Sequence, residues 1–99
     1  MPSVIELERA YCAHNYQPLP VVLTRGEGCC VWDERGKRYL DMMSAYSAVS
    51  FGHAHPRLLK VLGEQAARLA VVSRAFHTEV LAPFVRRACE LTGSPWACP

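Results

Sequence analysis

Hydrophobic and polar positions change their period along this chain, and the changes mark out its elements. Ser3 stands at an N-cap position ahead of Ile5, Leu7 and Tyr11, which partly follow helical spacing and predict one or two helical turns. Pro18 and Pro20 then forbid a helix and make the arm over residues 1–20 end in an extended path. Val21 to Arg25 is rich in β-branched residues and reads as a strand. Gly26-Glu27-Gly28 is turn chemistry, and Cys29 to Trp32 is a second strand. Asp33 to Gly36 predicts a tight turn, with Asp33 capping its own turn and Gly36 free to take positive φ. In the third strand, Lys37 to Met43, Tyr39 and Asp41 share one face, and Arg38, Leu40 and Met42 the other. Residues 21–43 thus predict a three-stranded antiparallel meander.

After a small-residue junction over 44–55 the period becomes helical. Pro56 suits a first helical position, and Leu58, Leu62, Ala66 and Leu69 form one stripe of a helix over 56–70. Glu64 and Arg68 are spaced to pair on its other side. A second helix, over 78–92, has Thr78 as its N-cap and Gly93 beyond its end. Its apolar face is Val80, Leu81, Phe84, Val85, Ala88 and Leu91. Pro83 predicts either a regular start near Ala82 or a kink. The fold class is α+β: an N-terminal arm, the meander, then two helices.

Composition narrows the function classes. An apolar share of 51% excludes a disordered tail. A net charge of +2, carried by scattered basic residues, gives no footprint for nucleic acid or an acidic membrane. No apolar run is long enough to span a bilayer, and the acidic N-terminus does not resemble a secretory signal. The five cysteines are odd in number and lack zinc spacing. They are expected to be reduced thiols of a cytoplasmic protein, mostly packed as small hydrophobes, with Cys29 and Cys30 on opposite faces of a strand. Trp96 and Cys98 at the close of the chain suggest the approach to a further element.

Candidate chemistry concentrates in Ser44 to Pro56, where small residues surround Tyr46, His53 and His55. Tyr46 is either a packed ring satisfied locally or a phenol held at a site. Tyr16, in the extended arm, carries the same two readings. His53 and His55 have no third metal ligand near them in sequence, and His55 is better read as the entry to the helix at Pro56; no metal site is expected. Gly26-x-Gly28 lacks a third glycine and a following helix, so it fails as a nucleotide-binding loop.

Taken together, several runs resemble the ornithine aminotransferases of the class III pyridoxal-phosphate enzymes. They are Ala13 to Pro20, Trp32-Asp33 with Gly36, Ser44 to Val49, Gly52 to Pro56 and Ser73 to Phe76. The resemblance covers about residues 5 to 98. It implies a segment of the type I fold of pyridoxal-phosphate aminotransferases, and a homodimer. It implies transfer of the δ-amino group of ornithine to 2-oxoglutarate, giving glutamate semialdehyde and glutamate, with the cofactor as electron sink. Tyr16 and Tyr46 match the two tyrosines that the family places near the amino-acid substrate, which moves both rings towards the site reading. Arg74 matches too, without an assigned role.

The same resemblance also implies groups that have no counterpart here: a glycine-rich phosphate turn, an aspartate for the pyridinium nitrogen, the cofactor lysine and an arginine for the α-carboxylate. Lys37 and Lys60 lie in other contexts. The expectation is therefore the N-terminal portion of such an enzyme, without catalytic, cofactor-binding or metal residues of its own and inactive alone. Acetylornithine or another ω-amino acid is an alternative donor. A non-catalytic interaction module is an alternative of a different class, with apolar helix faces as its contact surface.

Overall fold

A computed structural model describes residues 1–98. The chain divides into two compact units, Met1–Glu64 and a second from Gln65 onward. The fold is helical with one three-stranded antiparallel sheet, the α+β arrangement expected from the sequence.

Helix α1 (Val4–Tyr11) opens on a capping box. Ser3 Oγ accepts the Glu6 N–H, and the Glu6 carboxylate accepts the Ser3 N–H at 2.7 Å. These bonds, the Ser3 backbone first, hold the Glu6 carboxyl below its usual range. No regular element is assigned between Cys12 and Val22, the stretch that contains Pro18 and Pro20.

Strands β1 (Leu23–Glu27), β2 (Cys30–Asp33) and β3 (Arg38–Leu40) lie in that order. β1 sits two residues further along than Val21 to Arg25. The expected turn residues Gly26 and Glu27 are paired with Val31 and Cys30, and the reversal is made by Gly28 and Cys29. The register slips between Leu23 and Arg25, and the Arg25 guanidinium stacks 3.7 Å from the Trp32 ring. β3 is shorter than Lys37 to Met43, because Asp41 ends it by capping the next turn. Val31 is the one buried hydrophobic side chain among the described residues.

Helix α3 (Pro56–Arg68) begins at its proline, and His55 Nδ1 accepts the Arg57 N–H. Its stripe of Leu58, Leu62, Ala66 and Leu69 is exposed. Glu64 pairs with Lys60, four residues back, rather than with Arg68. In the second unit, Arg68 bonds Glu79 instead. Helix α4 (Leu81–Thr92) starts at Leu81, which places Pro83 in the first turn, where its missing N–H is not required. Thr78 Oγ1 accepts the Leu81 N–H at 3.3 Å, and Gly93 closes the helix at φ 69°. Phe84 and Leu91 stay exposed, so this face too is uncovered among the described residues.

The cysteines depart from the expected packing. Cys12, Cys29 and Cys98 are exposed, Cys30 and Cys89 half-buried, and all five are free thiols. Desolvation pushes the Cys30 thiol up from its ordinary value.

Candidate active site

The site is built from Asp41, at the end of β3. Its backbone N–H donates to the Cys29 carbonyl at 2.8 Å, so it is still tied to the first hairpin. Its side chain turns into the junction. Oδ1 accepts the N–H groups of Met43 (3.1 Å) and Ser44 (2.8 Å), a side-chain cap that bends the chain out of the sheet. Oδ2 lies 2.7 Å from His53 Nε2. The half-buried carboxyl is held below its ordinary range, chiefly by the Ser44 N–H and then by His53.

His53 is fixed from several sides. Its backbone exchanges two hydrogen bonds with Gly28, at 3.0 and 2.8 Å, forming an isolated antiparallel bridge to the hairpin turn. Its ring lies over Gly26, where an added Cβ would stand 2.7 Å from the ring carbon Cγ. At Gly52 (φ 82°) an added Cβ would stand 3.1 Å from the Gly28 Cα. The glycines that fail as a phosphate loop therefore have another purpose: they let the junction lie directly against the hairpin.

Between Asp41 and His53 the backbone takes an uncommon path. Ser44, Ala45, Tyr46 and Ser47 have φ of 49°, 46°, 57° and 74°, and they form a short turn, α2 (Ser44–Ser47). Left-handed backbone is disfavoured by roughly 1–2 kcal/mol per non-glycine residue and is normally visited one residue at a time. Successive left-handed residues persist only where the surroundings over-determine them. Here the ends are fixed by Asp41 and His53. The interior bonds run from the Tyr46 N–H to the Met43 carbonyl (3.0 Å) and from the Val49 N–H to the Ser44 carbonyl (3.1 Å).

The product of this arrangement is an exposed phenol. Tyr46 is 85% exposed at the crest of the turn, and Tyr16, in the irregular segment of the arm, is 79% exposed. Tyr39 behaves differently: half-buried in β3, its hydroxyl donates to Asp33 Oδ2 at 2.8 Å. The capping role of Asp41 and the close packing at Gly26 and Gly52 were not foreseen from the sequence. The signal for Asp41 was local, an aspartate three residues ahead of a serine at a strand end, the spacing of a side-chain-capped turn.

The lysines of the sequence are Lys37 and Lys60. Lys37 Nζ lies 4.9 Å from the centre of the Tyr39 ring, beyond the hairpin turn. Lys60 is on the surface of α3, 73% exposed, and ion-paired with Glu64 at 3.8 Å. Neither is placed among anion donors, so neither fits the part of the cofactor lysine.

Comparison with known proteins points the same way as the motifs. The sequence profile of the class-III aminotransferases matches residues 11–95. The ornithine aminotransferase of Geobacillus sp. (strain WCH70) is 51% identical over 97 residues, covering 98% of this chain and 24% of the relative. The crystal structure of acetylornithine aminotransferase from Elizabethkingia anophelis superposes with a TM-score of 0.88 at 54% identity, over 90% of this chain and 23% of that one. Plasmodium falciparum ornithine delta-aminotransferase superposes with a TM-score of 0.86 at 45% identity, over 90% and 23%. The chain thus spans about a quarter of the length of the relatives it matches.

Proposed function

This chain belongs to the class-III aminotransferase family, and from that premise we propose that it supplies part of the amino-acid substrate site of an ornithine aminotransferase. The reaction is transfer of the δ-amino group of ornithine to 2-oxoglutarate. The observation that carries the reading is the exposed Tyr46, held on a run of left-handed residues that nothing about the sheet itself requires.

In this reading Tyr46 and Tyr16 orient the donor. A phenol O–H donates to the substrate carboxylate, and the ring face lies along the methylene chain. Neither tyrosine moves the transferred proton; they fix where the carboxylate end rests, and so which amino group is presented for transfer. Pyridoxal phosphate, when bound elsewhere in such an enzyme, supplies the electron sink. The surroundings of Lys37 and Lys60 support the expectation that the 99 residues alone are inactive. The homodimer implied by the family resemblance and the cytoplasmic location expected from the sequence belong to the same proposal.

The likeness to an acetylornithine aminotransferase favours a second reading, in which the donor is the N-acetylated amino acid. Initial rates with ornithine, N-acetylornithine and 4-aminobutyrate, each with 2-oxoglutarate, separate the two. Semialdehyde formation fastest from ornithine is the expected result. Replacing Tyr46 by phenylalanine in the protein that carries this chain is expected to raise KM for the donor about tenfold, the size of one lost hydrogen bond to a charged group. An unchanged KM would remove Tyr46 from the site. Mixing the 99-residue chain with pyridoxal phosphate and ornithine is expected to give no product; turnover would overturn the reading of Lys37 and Lys60.

A further inference from the structure

We propose that His53 and Asp41 are positioning residues for Tyr46, a clasp that closes the junction on itself and fixes the direction in which the phenol is offered. The inference rests on the reading of Tyr46 as a substrate-site residue and adds the device that aims it.

The geometry gives each group a distinct task. Asp41 uses one oxygen for the N–H groups of Met43 and Ser44, the entry to the left-handed turn, and the other for His53, six residues beyond Ser47, where the junction returns to the hairpin. The carboxylate therefore joins the two ends of the segment that carries Tyr46. His53 is in turn held to Gly28 by its backbone and seated over Gly26 by its ring. A run of left-handed residues has lower-energy alternatives in the ordinary helical and extended regions. Loosening either end gives the chain access to them, and the ring of Tyr46 turns with the backbone. Neither His53 nor Asp41 needs to touch the substrate.

The test uses a full-length class-III aminotransferase in which these residues form the N-terminal part. His53→Phe keeps a ring over Gly26 and removes the bond to Asp41; His53→Gln places an amide N–H near the position of Nε2. 3-Fluorotyrosine at position 46, and separately at position 39, is read by 19F NMR. In His53→Phe the resonance at 46 is expected to shift or broaden while that at 39 stays. KM for the amino donor is expected to rise about tenfold with kcat within about twofold, and His53→Gln is expected to recover most of both. A folded His53→Phe protein with an unchanged resonance at 46 overturns the proposal. So does loss of fold in both His53→Phe and His53→Ala, which would assign the pair to closing the loop on the hairpin and nothing more. A Tyr46→Phe protein with unchanged KM would remove the substrate reading instead, and the fluorine signal would still report whether the clasp sets the ring.

Discussion

Asp33 and Asp41 sit at two turns of one sheet and bind in the same pattern, with opposite results. Asp33 Oδ1 accepts the N–H groups of Arg35 and Lys37, both at 2.9 Å, and its Oδ2 accepts the Tyr39 hydroxyl. Asp41 repeats this with Met43, Ser44 and His53. At the first turn the positive φ falls on Gly36 (79°), with open space around it, and the chain returns at once to the sheet. At the second it falls on four residues with side chains, and the chain leaves the sheet until His53. The first turn is conformationally cheap and its tyrosine is tied down. The second is strained and its tyrosine is free. The contrast teaches that an identical capping bond serves either to finish a fold or to support an unfavourable loop, according to which residues absorb the positive φ.

The sharpest way to break this comparison is at Gly52. Alanine there takes on left-handed strain and a 3.1 Å approach to the Gly28 backbone together, and is expected to destabilise by about 3 kcal/mol in chemical denaturation. Gly26→Ala drives its Cβ to 2.7 and 2.9 Å from Cγ and Cβ of His53, the near end of a side chain held by Gly28 and Asp41, so a loss of about 2–3 kcal/mol is expected, with donor KM rising alongside. Gly36→Ala has positive φ and free space, and about 1 kcal/mol is expected with no change in KM.

Proton binding gives a finer comparison. Both aspartates have carboxyls depressed in the fold, so each contributes stability that is present above the ordinary carboxylate range near pH 4 and is lost as pH falls through the lower folded value. Both turns are therefore expected to loosen in acid, not in base. The leading cause differs: the Tyr39 hydroxyl for Asp33, the Ser44 backbone N–H for Asp41. Carboxyl 13C titration should show Tyr39→Phe returning Asp33 further towards its ordinary value than His53→Phe returns Asp41. Equal shifts would mean that the two caps are not balanced as described.

Much of the sheet was legible because its signals are local. Asp33, Gly36 and the alternation of Tyr39 and Asp41 against Arg38 and Leu40 are read within a few residues, and they reappear in the hydrogen bonds and exposures. The entry of α3 at Pro56 was legible for the same reason. What local reading missed depends on contacts across the chain. Gly26 reads as turn chemistry until His53 is known to lie over it. Asp41 offers a local capping signal in its spacing to Ser44, but its bond to His53, twelve positions on, has none. The left-handed course of Ser44 to Ser47 runs against residue preference at every position, so no propensity argument reaches it. Tyr16 and Tyr46 were singled out by motif resemblance, and their exposure alone does not distinguish them from Tyr11, also 85% exposed.

The closure of the Asp41–His53 segment has an evolutionary consequence. Its two ends meet through one carboxylate, and both are pinned to the same hairpin, so the residues between them form a cassette. Closing a longer loop on fixed ends adds little free energy, because the penalty grows only with the logarithm of length. Insertions between positions 47 and 51 are therefore expected to leave the strands that carry the cassette as they are, whereas Gly52 is closed to exchange.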